Sequence, residues 1–481
     1  MQEEQSSFTK DFLRVAFSNG VGLISSLFAG FVLPLILGVN EFGNYKIFTL
    51  YLTYTALLHF GFIDGLLLKN AGKKYSELNK EKFRAFTKYF IAFQLLVSIV
   101  LTAIATSLIK ENAHYIFLIS IDSVILNVTT YFQYISQSIM RFKELSIRKI
   151  VVSILKIILT LCLMFLSKYG IINNIEAWMY IIGVIIIDAT LLLYYALTYR
   201  DIIVGKTASL SSIKKEAASY FKTGFIITIS FQISHLIFAL DRQFVSMLFP
   251  ITTYGIYAFA YNIISMITTV ISAVSIVLFP RLKKMPKERV VKTFNPASFY
   301  ILLFSFGSLI LYYPISIVIE SFLPKYIDSI QYFTIIFPGL ALNCCLSMII
   351  VSYYKALNLQ KEYFRIGCIV LIASALFNTI AFLLFKDPSA ISAASIIIMI
   401  AWYLLCVIKL KKRYQINIVK NLCYILVLMT SFYCLYLLLP NKLIASVLYL
   451  IIYTSISKTL YNKEIHKIGT IIKKKLHNTH N

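Results

Sequence analysis

Stretches of about 20 residues with little or no charge recur from one end of this 481-residue chain to the other. That is the length an α-helix needs to cross the hydrocarbon core of a bilayer. They number about fourteen, at 12–37, 44–66, 86–109, 114–139, 146–167, 177–199, 221–248, 253–279, 296–320, 330–354, 364–385, 389–408, 421–439 and 443–461. With 59% apolar and 14% charged residues and a mean hydropathy of +0.78, too little polar surface remains to cover a water-soluble fold of this size. The expected fold class is an all-α integral membrane protein.

The net charge of +25 would suit a nucleic-acid binder, but its placement argues for membrane topology instead. Of the 46 lysines and arginines, 38 fall on one side if the spans alternate, and only Lys46, Lys110, Lys168, Lys325, Lys386 and Lys442 fall in the opposite loops. By the positive-inside rule both termini are cytoplasmic, which needs an even number of spans. No nucleic acid is expected as a partner; the lipid bilayer is. The polar start, MQEEQSSFTKDF, precedes an apolar run too long for a signal-peptide core, so the first span is expected to be retained. Seven cysteines lie inside apolar spans without CxxC or Cys/His spacing, so neither a metal nor a cofactor is expected.

The chain also repeats itself. LILGVNEFGNYKIFTLY from Leu35 aligns with SMLFPITTYGIYAFAYN from Ser246, so that Phe42, Gly43 and Tyr45 fall on Tyr254, Gly255 and Tyr257 at an offset of 212 residues. SIMRFKE at Ser138 answers SYYKALN at Ser352 at nearly the same offset. A six-helix repeat is even, so the copies are related by an axis along the membrane normal. The expected organisation is an N-lobe (1–200), a cytoplasmic linker (201–219), a C-lobe (220–410), two further helices (411–461) and a basic cytoplasmic tail (462–481).

Within the repeat, polar residues form stripes on hydrophobic helices. At about 100° per residue, Thr228, Gln232, His235, Arg242 and Ser246 share an arc of roughly 80° on the seventh span. Tyr254, Tyr257, Tyr261, Ser265, Thr268, Ser272 and Ser275 do the same on the eighth. Tyr45, Thr49, Ala56 and His59 share a face of the second, and Arg14, Ser18, Gly22 and Ser25 form a thinner stripe on the first. These four helices have the chemistry of a polar cavity between two lobes.

The segment from FKTGF at Phe221 through Asp241 and Arg242, the Tyr254 to Tyr257 turn and FPRL at Phe279 resembles polysaccharide flippases of the multidrug/oligosaccharidyl-lipid/polysaccharide exporter (MOP) superfamily, as does GVNEFGNY at Gly38. The likeness is nearest to the O-antigen repeat-unit flippases and covers nearly the whole chain. It implies movement of a polyprenyl-pyrophosphate-linked oligosaccharide from the cytoplasmic to the periplasmic leaflet of the bacterial inner membrane by alternating access. Polysaccharide polymerase machinery is a further partner it suggests. The arginine-rich first helix of lipid II flippases is absent; that helix has only Arg14.

Ionisable groups inside spans are costly, and each is weighed as a functional residue against a packing role. Arg242, a permanent forked donor, suits a pyrophosphate or acidic sugar; snorkelling to the interface is its plainer explanation. Its neighbour Asp241 points about 140° away and reads as a packing residue. His59 and His235 suit an anionic headgroup when protonated, or simple interhelical hydrogen bonding. With Gln232, Tyr257, Tyr261, Tyr45 and Thr49 they complete the expected cavity lining. Arg14 and Asp64, near cytoplasmic helix ends, form a candidate gate, though Arg14 also fits an interfacial anchor. Lys156 and Asp188 lie at similar depth as natural partners, in a structural ion pair or in coupling to H+ or Na+, and Asp122 stands isolated.

No GxxxxGK[ST] phosphate loop is present, so direct ATP drive is not expected. A drug or small-solute antiporter of the same superfamily is the alternative, disfavoured by a cavity poor in carboxylates. A polymerase or glycosyltransferase is less favoured still, because the extracytoplasmic loops are too short to carry catalytic residues, and no enzyme activity is expected.

Overall fold

The computed structural model describes residues 14, 17–108, 113–275, 282 and 285–478, and among them helices are the sole regular structure. The apolar runs become helices as expected. α1 is Leu33–Leu52, α2 Phe62–Asn70, α3 Lys80–Leu108, α4 Ala113–Ser138, α5 Phe142–Lys168, α6 Ala177–Thr198, α7 Leu210–Leu248 and α8 Ile251–Ser275. Then follow α9 Lys287–Ser308, α10 Tyr312–Phe322, α11 Ser329–Ile336, α12 Gly339–Cys344, α13 Val351–Ala356, α14 Gln360–Phe385, α15 Pro388–Tyr414, α16 Val419–Leu438 and α17 Lys442–Asn478. Two compact units emerge, residues 1–258 and 259–481, with the boundary inside α8.

Among the described residues, twelve helices are long and apolar enough to span a bilayer, or thirteen if the bent pair Leu210–Ser230 and Gln232–Leu248 counts as one span. The fourteen expected from hydropathy exceeds this count. Part of the difference is the run Phe17–His59, 43 residues counted once, which hydropathy divides in two. A straight helix of that length would be about 65 Å long, twice the hydrocarbon thickness. Instead the backbone leaves helical geometry at Gly38 (φ 73°, ψ 174°), a conformation glycine adopts without a Cβ penalty. Asn19 accepts a hydrogen bond from Lys149 in α5, and the Gly72 amide donates to the Ser138 carbonyl at the end of α4 (2.9 Å). The start of the run thus lies beside the first turns of α5, while Glu41, just past Gly38, accepts from the Ala177 amide at the start of α6 (2.7 Å), beyond the opposite end of α5. The run doubles back on itself.

After α1 the helix tightens into a 3-10 turn, Thr55–His59, and breaks at two left-handed residues, Phe60 (φ 47°) and Gly61 (φ 84°). α2 then packs along α7 so closely that only glycine fits. A Cβ on Gly224 would overlap the Gly61 carbonyl oxygen, and one on Gly65 would overlap the Tyr220 carbonyl oxygen. Beside this crossing lies the aromatic core of the first unit. Phe62 stacks on Phe90 (5.2 Å between centroids), Tyr220 meets Phe62 edge-on (5.6 Å), and Tyr131 shares a buried hydrogen bond with Thr87 (2.9 Å). Fully burying rings of this size contributes about 2 kcal/mol or more each.

At the same end, Asp201 is held by Lys80 (2.7 Å) and by the Tyr75 hydroxyl, while Arg84 donates to the Asp201 carbonyl (2.8 Å). Burial pushes the Asp201 carboxyl up, but the hydrogen bonds from Lys80 and Tyr75 and the Lys80 charge outweigh it and leave the group below the usual carboxylate range. The knot's contribution is therefore in place above the unfolded-state value of about 3.9 and disappears as pH falls through the depressed folded value. Amide exchange of residues 200–206 in detergent, corrected for intrinsic rate, is expected to accelerate only below about pH 4. Acceleration already at pH 6, or none at pH 2, would show the knot does not depend on this carboxylate.

In the second unit α14 and α15 form an antiparallel pair. Its turn uses Lys386 in the left-handed region (φ 51°), and the Asp387 side chain caps α15 by accepting from the Ser389 amide (2.9 Å), with Pro388 at the first helical position. Lys411, Lys412 and Arg413 close its last turn, where cations suit the helix dipole. One correspondence between the units is plain in the backbone. Met140 (φ 62°) precedes α5 and Asn358 (φ 58°) precedes α14 at an offset of 218 residues, and in each case a glutamate follows, Glu144 and Glu362, that pairs with nearby cations. The repeat read from Ser138 and Ser352 thus stands four residues further along at this corner.

Candidate functional site

Polar and charged side chains inside the spans of the first unit gather in three clusters. The outermost joins α1, α7 and the start of α8. These segments touch through glycines: a Cβ on Gly43 would meet the Ile251 carbonyl, and one on Gly255 the Val39 carbonyl. Close approach brings Tyr254 to donate to the Lys46 carbonyl (3.3 Å) and Tyr257, fully buried, to donate to Asp241 (3.1 Å). Asp241 also accepts from the Arg242 amide (2.7 Å), and the Arg242 guanidinium donates to the Phe238 carbonyl (2.9 Å). Lys46 lies 5.1 Å above the Phe42 ring and close enough to Arg242 for the two charges to oppose each other. Gln243, next in the chain, bridges two tyrosines of the second span: its amide donates to Tyr51 (3.1 Å) and its carbonyl accepts from Tyr54 (3.2 Å).

The second cluster sits at the glycine crossing. Thr228 on α7 donates to Asp64 on α2, and His59 Nε2 lies 3.9 Å from the same carboxylate. His59 Nδ1 accepts from the Gly61 amide (3.2 Å), so Nε2 is the protonated nitrogen of the neutral ring. The histidine is thereby part of the helix break itself.

The third joins α4, α5 and α6. Lys156 and Asp188 meet at 3.7 Å. Near enough to feel both is Asp122, wholly buried, with neither carboxylate oxygen hydrogen-bonded. Tyr180 shares a hydrogen bond with Thr160 (3.4 Å) and meets Tyr45 edge-on at 5.1 Å.

The expected cavity residues are therefore distributed. Arg242 belongs to the outer cluster with Tyr257, which packs inward on Asp241. Tyr45 turns towards the third cluster, and Thr49 bonds back to the Lys46 carbonyl (3.0 Å). His59 is buried at the crossing, whereas His235 is exposed and Gln232 half-buried. Tyr261 lies half-buried in the second unit. The stripe on α7 is not straight, because the helix bends by 46° between Ser230 and Gln232. Of the expected gate, Asp64 engages Thr228 and His59, and Arg14 is exposed. Lys46, Gln243, Tyr51 and Tyr54 were not anticipated. Lys46 stands three residues before Thr49 on the part of α1 that follows Gly38.

Residues 8–286, more than half of the chain, match the family described as "Polysaccharide biosynthesis protein". The chain belongs to this family. Among solved structures, an inward-facing multidrug resistance MATE family transporter of the MOP superfamily is similar to this family member at 12% identity, with a TM-score of 0.56, covering 83% of this chain and 94% of that one. A mutant of the Vibrio cholerae MATE transporter VcmN gives 14% identity and a TM-score of 0.54 over 85% and 98% of the two chains. A MOP superfamily transporter from Pyrococcus furiosus, described as having a binding pocket of reverse polarity, gives 12% and 0.53 over 84% and 96%. No curated protein matches the chain. The polysaccharide biosynthesis family member is thus a multi-pass membrane protein with the MATE fold, and family and fold together support a transporter of the MOP superfamily.

Proposed function

We propose that the protein flips a polyprenyl-pyrophosphate-linked oligosaccharide, such as an O-antigen repeat unit of lipopolysaccharide, from the cytoplasmic to the periplasmic leaflet of the bacterial inner membrane, with both termini cytoplasmic. The observation that carries this reading is the polar cluster that holds Lys46 and Arg242 together with Tyr254, Tyr257 and Gln243 on membrane-spanning helices. Both cations share this cluster with the Asp241 carboxylate, and a pyrophosphate has the charge and the oxygen geometry to join them there. The polysaccharide biosynthesis family supports the oligosaccharide as cargo. The third cluster supplies the coupling groups: Lys156, Asp188 and Asp122 exchange partners when H+ or Na+ binds. His59 and Asp64 at the glycine crossing form the cytoplasmic gate, with Arg14 at its mouth. Product handed to polysaccharide polymerase machinery keeps transport moving outward. No catalytic step is assigned to the chain.

Leaflet-resolved accessibility of a polyprenyl-pyrophosphate oligosaccharide in proteoliposomes tests the reading. Protein-dependent flipping is expected; exchange of small cationic solutes without flipping would replace it with the antiporter. The coupling cluster has its own test. An unbonded buried carboxyl is destabilising by about 1–3 kcal/mol, so Asp122→Leu is expected to raise the unfolding temperature in detergent while removing the dependence of flipping on an imposed ion gradient. A less stable variant that still responds to the gradient would remove Asp122 from this role.

A further inference from the structure

Beside the cation pair, in the outer half of the first unit, a cavity of about 640 Å³ opens between α1, α3, α4 and the end of α7. That volume lies in the range of small-molecule sites. Its polar lining includes Asn44, Tyr51, Tyr54, Ser98, Ser120 and Ser123, and no residue lining it is ionisable as acid, lysine, arginine or histidine. The rest of its wall is mostly Ile, Leu, Ala and Met, with Thr55, Tyr115 and Ser246 among them. A charged ligand would find no counter-charge here, and a purely apolar one would leave the hydroxyls unmatched.

The hydrogen-bonding capacity of the wall is directional. The Tyr51 hydroxyl accepts from Gln243 and keeps its own proton to donate, whereas the Tyr54 hydroxyl spends its proton on Gln243 and keeps its lone pairs to accept. Opposite them, a ladder of hydroxyls fastens α3 to α4. Ser98 donates to the Ser120 carbonyl (3.0 Å) and Thr102 to the Ser120 hydroxyl (2.5 Å), while Ser120 donates to the Ile116 carbonyl (2.8 Å). The pocket therefore offers a donor and an acceptor one helical turn apart on one wall and committed hydroxyls on the other. The two tyrosine rings stand nearly perpendicular, 80° apart with centroids at 6.2 Å. A sugar ring, with hydroxyls that donate and accept around its edge and C–H faces above and below, matches such a wall.

We propose that this pocket is a subsite for an uncharged sugar unit of the cargo, the one linked directly to the pyrophosphate; this rests on the flippase reading above. Gln243 fixes the tyrosine pair and adjoins Arg242 in sequence, and Arg242 is near enough to act electrostatically on Tyr54. Charge and neutral pocket thus follow one another as phosphate and sugar do in the lipid-linked glycan. The subsite selects for a neutral first sugar, while the cation pair binds any prenyl pyrophosphate.

The test uses the full-length protein in nanodiscs and two probes, a synthetic polyprenyl pyrophosphate carrying one uncharged hexose and the same lipid without sugar. Wild type is expected to prefer the hexose-bearing lipid. Ser123→Leu, which fills the pocket from α4, is expected to reduce that preference about tenfold, corresponding to about 1.4 kcal/mol. Tyr54→Phe, which keeps the ring and removes only the hydroxyl, gives a smaller loss in the same direction and guards against misfolding of the bulkier variant. If wild type binds both lipids and the two variants retain its full preference, the subsite is overturned and the flippase reading stands. If wild type binds neither lipid, both fall together.

Discussion

Gly224→Ala is expected to destabilise the protein by about 3 kcal/mol, because the added methyl group would overlap the Gly61 carbonyl oxygen and the Gly65 amide nitrogen. Neither neighbour is a side chain that can swing away; both are backbone atoms of the turn into α2. Relief comes only by moving α2 off α7, which also opens Phe62 and Tyr220 and separates Thr228 from Asp64. The expected readout is a large fall in folded yield and unfolding temperature in detergent. Gly20→Ala is the control: nothing lies within 4 Å of its added Cβ, and alanine is the better helix former. Equal stability of the two variants would mean that the crossing yields without cost.

Arg242→Ala is expected to lower protein-dependent flipping of a lipid-linked oligosaccharide about a hundredfold, equivalent to about 2.7 kcal/mol of lost interaction with the pyrophosphate. Arg242→Lys keeps the charge but loses the fork that matches two phosphate oxygens, so an intermediate rate is expected. Lys46→Ala is expected to fall between the two. The contacts of α8 with α1 do not depend on the guanidinium, since the glycine approaches at Gly43 and Gly255 and the Tyr254 bond use backbone carbonyls, and α7 is tied to the second span through Gln243. Unfolding temperatures of the three variants should therefore stay near wild type. Full flipping in folded Arg242→Ala protein would discard the site and leave the function to be carried by other residues.

Hydrophobic length and the asymmetry of lysine and arginine were enough to read a helical membrane protein, because both are imposed by the bilayer rather than by contacts inside the fold. Lys156 and Asp188 were paired from equal depth alone, and they meet. The outer cluster was harder. Periodicity at about 100° per residue put Tyr45, Thr49 and His59 on one face, with Tyr51 and Tyr54 roughly 120–180° away from it. That projection holds only along an unbroken helix. The 3-10 turn at Thr55–His59 and the reversal at Phe60 and Gly61 rotate His59 into the crossing, and the bend in α7 divides its stripe. Asp241 was read as a packing residue, and its bond from Tyr257 ties α7 to α8, a contact between helices that no single-helix projection can display. Lys46 falls inside the 44–66 span and counts with the opposite-side charges, and its place above the Phe42 ring follows from how α1 continues after the break at Gly38, which hydropathy does not display.

The crossing of α2 and α7 differs from its surroundings in one further respect. The same end of the first unit is laced with ion pairs such as Lys80 with Asp201 and Lys82 with Glu216 (3.1 Å), whose strength varies with ionic strength and with proton concentration. The contact between Gly61 and Gly224 is made by backbone atoms alone. The approach itself has no charge for salt to shield and no rotamer to freeze and is governed by the shape of two helices, so what the crossing senses of the surrounding solution it senses through His59 and Asp64 beside it.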